Sequence, residues 1–148
     1  MTATRLGSAS RVLLFAITGF ALGAALFAAV ALPATVAYQP LVTFDEHCYM
    51  QSLDDILEHR LDRPATGCVP RVVFVTVIAA RYGPGMFLMP LGDIDIRAPI
   101  ASALLFAVIG AFATASAGPR RGTVITVTAL LVVEFALAVL LLILWALG

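Results

Sequence analysis

The sequence predicts a mainly α-helical integral membrane protein. Three transmembrane helices would carry a small, disulfide-stapled extracytoplasmic α/β region. Three observations lead there. The chain of 148 residues is 61% hydrophobic and only 12% charged, with a mean hydropathy of +1.03, whereas soluble domains are about half apolar and about a quarter charged. Long uncharged runs open and close the chain. Between them, one stretch gathers most of the acids, both histidines and both cysteines.

Residues 1–11 are short and polar, with Arg5 and Arg11, and read as a cytoplasmic N-terminus. The run 12–38 holds no charge and exceeds the ~20 residues that span hydrocarbon. Pro33 loosens its far end by removing a backbone donor. A cleaved signal peptide with Ala29-Val30-Ala31 at its cleavage site competes with this reading. The apolar run is longer than the ~7–15 residues of a signal h-region, which favours an uncleaved anchor.

Residues 39–97 form the extracytoplasmic region of this scheme. Asp45, Glu46, Asp54, Asp55, Glu58 and Asp62 make it acidic. A short amphipathic helix is expected over 50–61, with Leu53, Ile56, Leu57 and Leu61 at helical spacing. Ser52 would cap it, and Pro64 and Gly67 would end it. The β-branched and aromatic run from Val72 to Ile78 favours a strand. Gly83-Pro84-Gly85 then reads as a turn, giving a β-hairpin over 72–96. The alternative is a four-helix transmembrane bundle whose second helix, over 72–92, is broken and carries Arg81.

The run 98–117 is a second span and 123–147 a third, with Trp145 as an interfacial anchor. Between them, 118–122 is a tight cytoplasmic loop with Arg120 and Arg121. Three spans with the N-terminus inside place Arg5, Arg11, Arg120 and Arg121 in the cytoplasm, as the positive-inside rule asks. All nine basic residues are Arg; with the alanine-rich helices this bias fits a GC-rich bacterial genome. The expected home is therefore the plasma (inner) membrane of a bacterium, crossed several times.

Few residues bear chemistry. Cys48 and Cys68 are the only cysteines, and outside the membrane an isolated pair is most simply a disulfide. It would stabilise the domain by about 3 kcal/mol. His47, Cys48, Met50 and His59 lack the tight spacing of a metal motif, so no metal or other cofactor is expected. Glu134 is the single charge in the last span. A lone carboxylate there is costly and needs a partner, a proton or a role. Leu130, Leu131, Leu137 and Ala138 surround it on its own helix. Thr123 and Thr126 are the nearest polar residues on roughly its side, and Arg81 is the counter-ion the four-span alternative would offer. Gly19 with Gly23, Ala107 with Ala111, and Gly110 with Thr114 are small-xxx-small pairs that let helices pack closely.

No basic tail suggests nucleic-acid binding, and there is no phosphate loop or nucleophile elbow. The sequence therefore points to a non-catalytic membrane protein, an accessory or assembly subunit of a larger complex. Its partners would be the bilayer and other subunits, or copies of itself. The alternative is a small homo-oligomeric ion or proton channel, or a transporter, that uses Glu134. A membrane enzyme working through the acidic region is a third reading, without a motif behind it.

Overall fold

A computed structural model describes residues 7–44, 71–88 and 94–147. Every described residue except Gly7 is helical, and there is no strand among the described residues. Helix α1 is Ser8–Phe44, α2 is Arg71–Tyr82, and a 3-10 segment, Gly83–Leu88, follows α2 directly. Helix α3 is Ile94–Leu147. Ser8–Tyr38 and Ile96–Leu147 are each long and apolar enough to cross a membrane.

α1 continues past Pro33 to Phe44. The proline ring is exposed, so it meets no packing helix. α3 is two limbs, 94–117 and 119–147, separated by Gly118 at φ 80° and ψ 169°. That conformation is open essentially to glycine alone. The loop expected over 118–122 thus contracts to one residue. Pro119 opens the second limb, a position where its missing donor costs nothing. Each limb is about 36 Å or more at 1.5 Å per residue, enough for ~30 Å of hydrocarbon.

The β-hairpin expected over 72–96 is not present: α2, the 3-10 segment and the start of α3 occupy that stretch. Its apolar residues follow a helical pattern that the strand reading passed over. Phe74, Val75, Ile78, Ala79 and Tyr82 are buried, while Val72 and Val73 are exposed. The preference of Val and Ile for strands largely records packing on a half-buried sheet in water. A helix satisfies its own backbone hydrogen bonds and gathers that stripe on one face. The 3-10 segment does fall on the Gly-Pro-Gly turn signal, with Gly83 at φ 60°. The helix expected over 50–61 and the Cys48–Cys68 disulfide lie outside the described residues.

The chain forms two compact units, residues 1–28 with 103–131, and residues 29–102 with 132–148. In the first, the N-terminal half of α1 packs antiparallel on the first limb of α3. Gly19 faces Gly110 and Thr114, and Gly23 faces Phe106 and Ala107. A β-carbon on either glycine would collide with the facing backbone, so these backbones touch directly, as close membrane packing requires. Phe27 stacks on Phe106 with centroids 5.7 Å apart. The Thr114 hydroxyl reaches the Phe15 carbonyl across the interface at 2.7 Å, and equally the Gly110 carbonyl on its own helix. Beyond Gly118 the chain doubles back, because Gly122 lies against the Thr114 backbone. Eight residues along a straight helix would separate those two by about 12 Å.

The second unit has a core of Tyr38, Phe74, Val75, Ile78, Ala79, Tyr82, Met86, Ala98, Leu137, Leu141 and Trp145. Leu137, Leu141 and Trp145 form one stripe on α3. Phe74, at the start of α2, meets Trp145, at the end of that stripe, edge-on at 5.6 Å. The start of α2 and the end of α3 thus meet in this core. Trp145 is packed inside the helices here, 7% exposed, rather than laid open as an anchor.

Candidate functional site: an enclosed carboxylate beside a broken helix

Glu134 lies one turn before Leu137 on the same stripe of α3. It belongs to the same compact unit as α2 and the 3-10 segment. Both of its carboxylate oxygens are buried, and neither has a hydrogen-bond partner among the described residues. Its own helix supplies none. Thr126 donates to the Gly122 carbonyl at 2.7 Å, and Thr123 to the Pro119 carbonyl at 2.7 Å. Both hydroxyls are satisfied a turn back along their own helix, as mid-helix threonines commonly are.

Arg81 sits at the end of α2, half-buried. Its guanidinium carbon lies 4.3 Å from the centroid of the Tyr38 ring and 4.9 Å from that of Tyr82. The two rings meet edge-on at 6.5 Å. An arginine over two aromatic faces is held by the negative faces of the rings. No hydrogen bond joins Arg81 to Glu134; the tyrosine pair holds this side chain.

The break between α2 and the 3-10 segment frees backbone groups that apolar surroundings would leave unpaired. Ser102, fully buried on α3, takes them up. Its hydroxyl accepts from the Gly85 amide at 2.8 Å and donates to the Tyr82 carbonyl at 2.7 Å. Gly85 also lies against the Ala98 carbonyl, where a side chain would collide. The sequence reading missed Ser102. The available signal was a hydroxyl in the span that follows a Gly-Pro-Gly break, which must find partners somewhere.

The small residues singled out in the sequence are placed as follows. Gly19, Gly23, Ala107, Gly110 and Thr114 are buried at the contact inside the first unit, and Ala111 is half-buried beside them. Their close-packing capacity is therefore used within the chain. No three His, Cys, Asp or Glu side chains gather among the described residues. No family model matches the chain, and no curated protein or solved structure matches it.

Proposed function

We propose that this chain is a multi-pass protein of the plasma membrane that works without catalysis, as an accessory or assembly subunit of a larger membrane complex. The observation that carries this reading is the outward face of its helices. Val36, Phe112 and Phe135 are 74%, 73% and 73% exposed, with Leu13, Leu104, Val124, Leu131 and Val132 also open. Apolar patches of this extent on a protein mark lipid or partner contact. With the small-residue contacts spent internally, outward faces of this kind are what remains for lipid and for partner helices.

Three spans follow if each limb of α3 crosses separately, which the length of the limbs and the turn at Gly118 support. The orientation is supported by charge. Arg11 lies in the first turn of α1, and Arg120 and Arg121 lie in the first turn of the second limb of α3; all three are exposed. The pairing of Phe15 with Thr114 puts them at one end of the first unit. Arginines collected at one end read as cytoplasmic. The N-terminus is then inside and the C-terminus outside. Reporters fused at the two ends should report opposite sides; two cytoplasmic signals reject the three-span form. Affinity purification in mild detergent should bring down a defined membrane partner in fixed ratio, and a lone monomer counts against the subunit reading.

The enclosed, unpartnered Glu134 favours one second reading, a homo-oligomeric proton or cation path. Ionisable residues in transmembrane segments mark such paths.

A further inference from the structure

We propose that Glu134 is a reversible proton-binding site within the bilayer, and that a proton, not a metal cation, is what it takes up. The inference rests on the membrane reading above and gives the second reading its cargo.

Glu134 shares the α3 stripe that packs into the helix core, while Leu131, Val132 and Phe135 beside it face outward. It is therefore held among helices and kept from the lipid-facing side. An ionised carboxylate so placed needs a donor or a counter-ion. Neither oxygen has a hydrogen-bond partner among the described residues.

Among the described residues, the charged and titratable groups of this unit do not supply one. α2 brings Arg81 and Tyr82 to this unit, α1 brings Tyr38, and the start of α3 brings Arg97. The Arg81 guanidinium lies against both tyrosine rings, 4.3 Å and 4.9 Å from their centroids. All four have interactions of their own, and none hydrogen-bonds to Glu134.

A metal cation fares worse than a proton. A hard cation takes about six or more oxygen ligands close around it. Of the buried hydroxyls, Ser102 bridges Gly85 and Tyr82, Thr114 is directed to Phe15 and Gly110, and Thr126 to Gly122. No cluster of three His, Cys, Asp or Glu is present among the described residues. A carboxylate outside any cluster of His, Cys, Asp or Glu among the described residues suits a proton, which needs only one lone pair.

The test uses the full chain in native membranes and dicyclohexylcarbodiimide, an apolar reagent that enters the bilayer. A protonated carboxyl adds across one C=N bond. Its proton passes to a nitrogen and its oxygen bonds the central carbon. An acyl shift then leaves a stable N-acylurea that retains every atom of the reagent. Membranes are first washed with alkaline carbonate, then labelled from mildly acidic to mildly alkaline pH, and the adduct is mapped by peptide mass spectrometry. The expected result is one adduct per chain on Glu134, absent in Glu134→Gln and retained in Glu134→Asp. Its yield should fall about tenfold per pH unit once the carboxyl loses its proton. No adduct on Glu134 at any pH, or a yield that ignores pH in wild type and Glu134→Asp alike, overturns the proton site while leaving the membrane reading intact. Release of the chain by carbonate overturns both.

Discussion

Ser102 closes the gap that Gly85 opens: its hydroxyl accepts the Gly85 N–H at 2.8 Å and donates to the Tyr82 carbonyl at 2.7 Å. One side chain thus satisfies two backbone groups at the junction of a helix and a 3-10 turn. Ser102→Ala removes both bonds and leaves a buried donor and acceptor unpaired. Each such orphan costs about 1–3 kcal/mol. The variant should unfold at clearly lower denaturant in detergent. Wild-type stability in Ser102→Ala would show that these bonds carry no weight.

The contact of α1 with the first limb of α3 makes a contrast between two neighbouring positions. Gly19 touches the Gly110 and Thr114 side of α3, with no room for a β-carbon. Ala21, two residues on, is exposed. Gly19→Leu should therefore separate the helices and abolish the folded form, whereas Ala21→Leu should leave stability within about 0.5 kcal/mol, as for ordinary surface changes. Crosslinking between cysteines placed at positions 15 and 114 reports the contact. Equal crosslinking in both variants would contradict the packing.

Some parts of the structure are legible in the residues and others are not. The long apolar runs were legible because hydrocarbon thickness sets a length that few other structures need. The Gly19–Gly23 motif was visible too, but a motif names a surface and not the surface opposite. That its partner is Gly110 and Thr114 of the same chain required the fold. Residues 72–78 misled for a physical reason: Val, Ile and Phe were weighed by habits learned in water-exposed sheets. Ser102 was illegible for another, since its value lies wholly in a tertiary pairing with a turn 17 residues earlier. Glu134 stood out at once because its cost depends on the solvent around it more than on the fold.

Gly118 and Gly122 should both resist substitution, through different physics. Gly118 has no atom within 4 Å of where a β-carbon would sit, yet its φ is +80°. Gly118→Ala is thus opposed by backbone strain alone, of about 1–3 kcal/mol. Gly122 carries ordinary helical geometry, but its β-carbon would strike the Thr114 backbone. Trimming Thr114 to Ala should leave most of the Gly122→Ala defect, since main-chain atoms cause the clash, and should do nothing for Gly118→Ala. Gly7→Ala, with open space around it, is the control and should be close to neutral. A Gly118→Ala protein as stable as wild type would mean that the reversal there is not required.

Arg81 and Tyr38 offer the most direct measure of how the second unit is held. The guanidinium carbon stands 4.3 Å from the Tyr38 centroid and 4.9 Å from that of Tyr82. Tyr38→Leu removes one ring face, and Arg81→Met removes the charge while keeping a long apolar stem. Each single change should destabilise. The double-mutant cycle should return a coupling of about 0.5–2 kcal/mol, the range for a cation over an aromatic face as it passes from exposed to desolvated. Tyr38→Phe should keep most of that coupling, because the ring face and not the hydroxyl faces the charge. Arg81→Lys should keep less than wild type, lacking the flat guanidinium that can lie on a ring face. Additive single changes, with no coupling beyond experimental error, would show that the two side chains are merely adjacent.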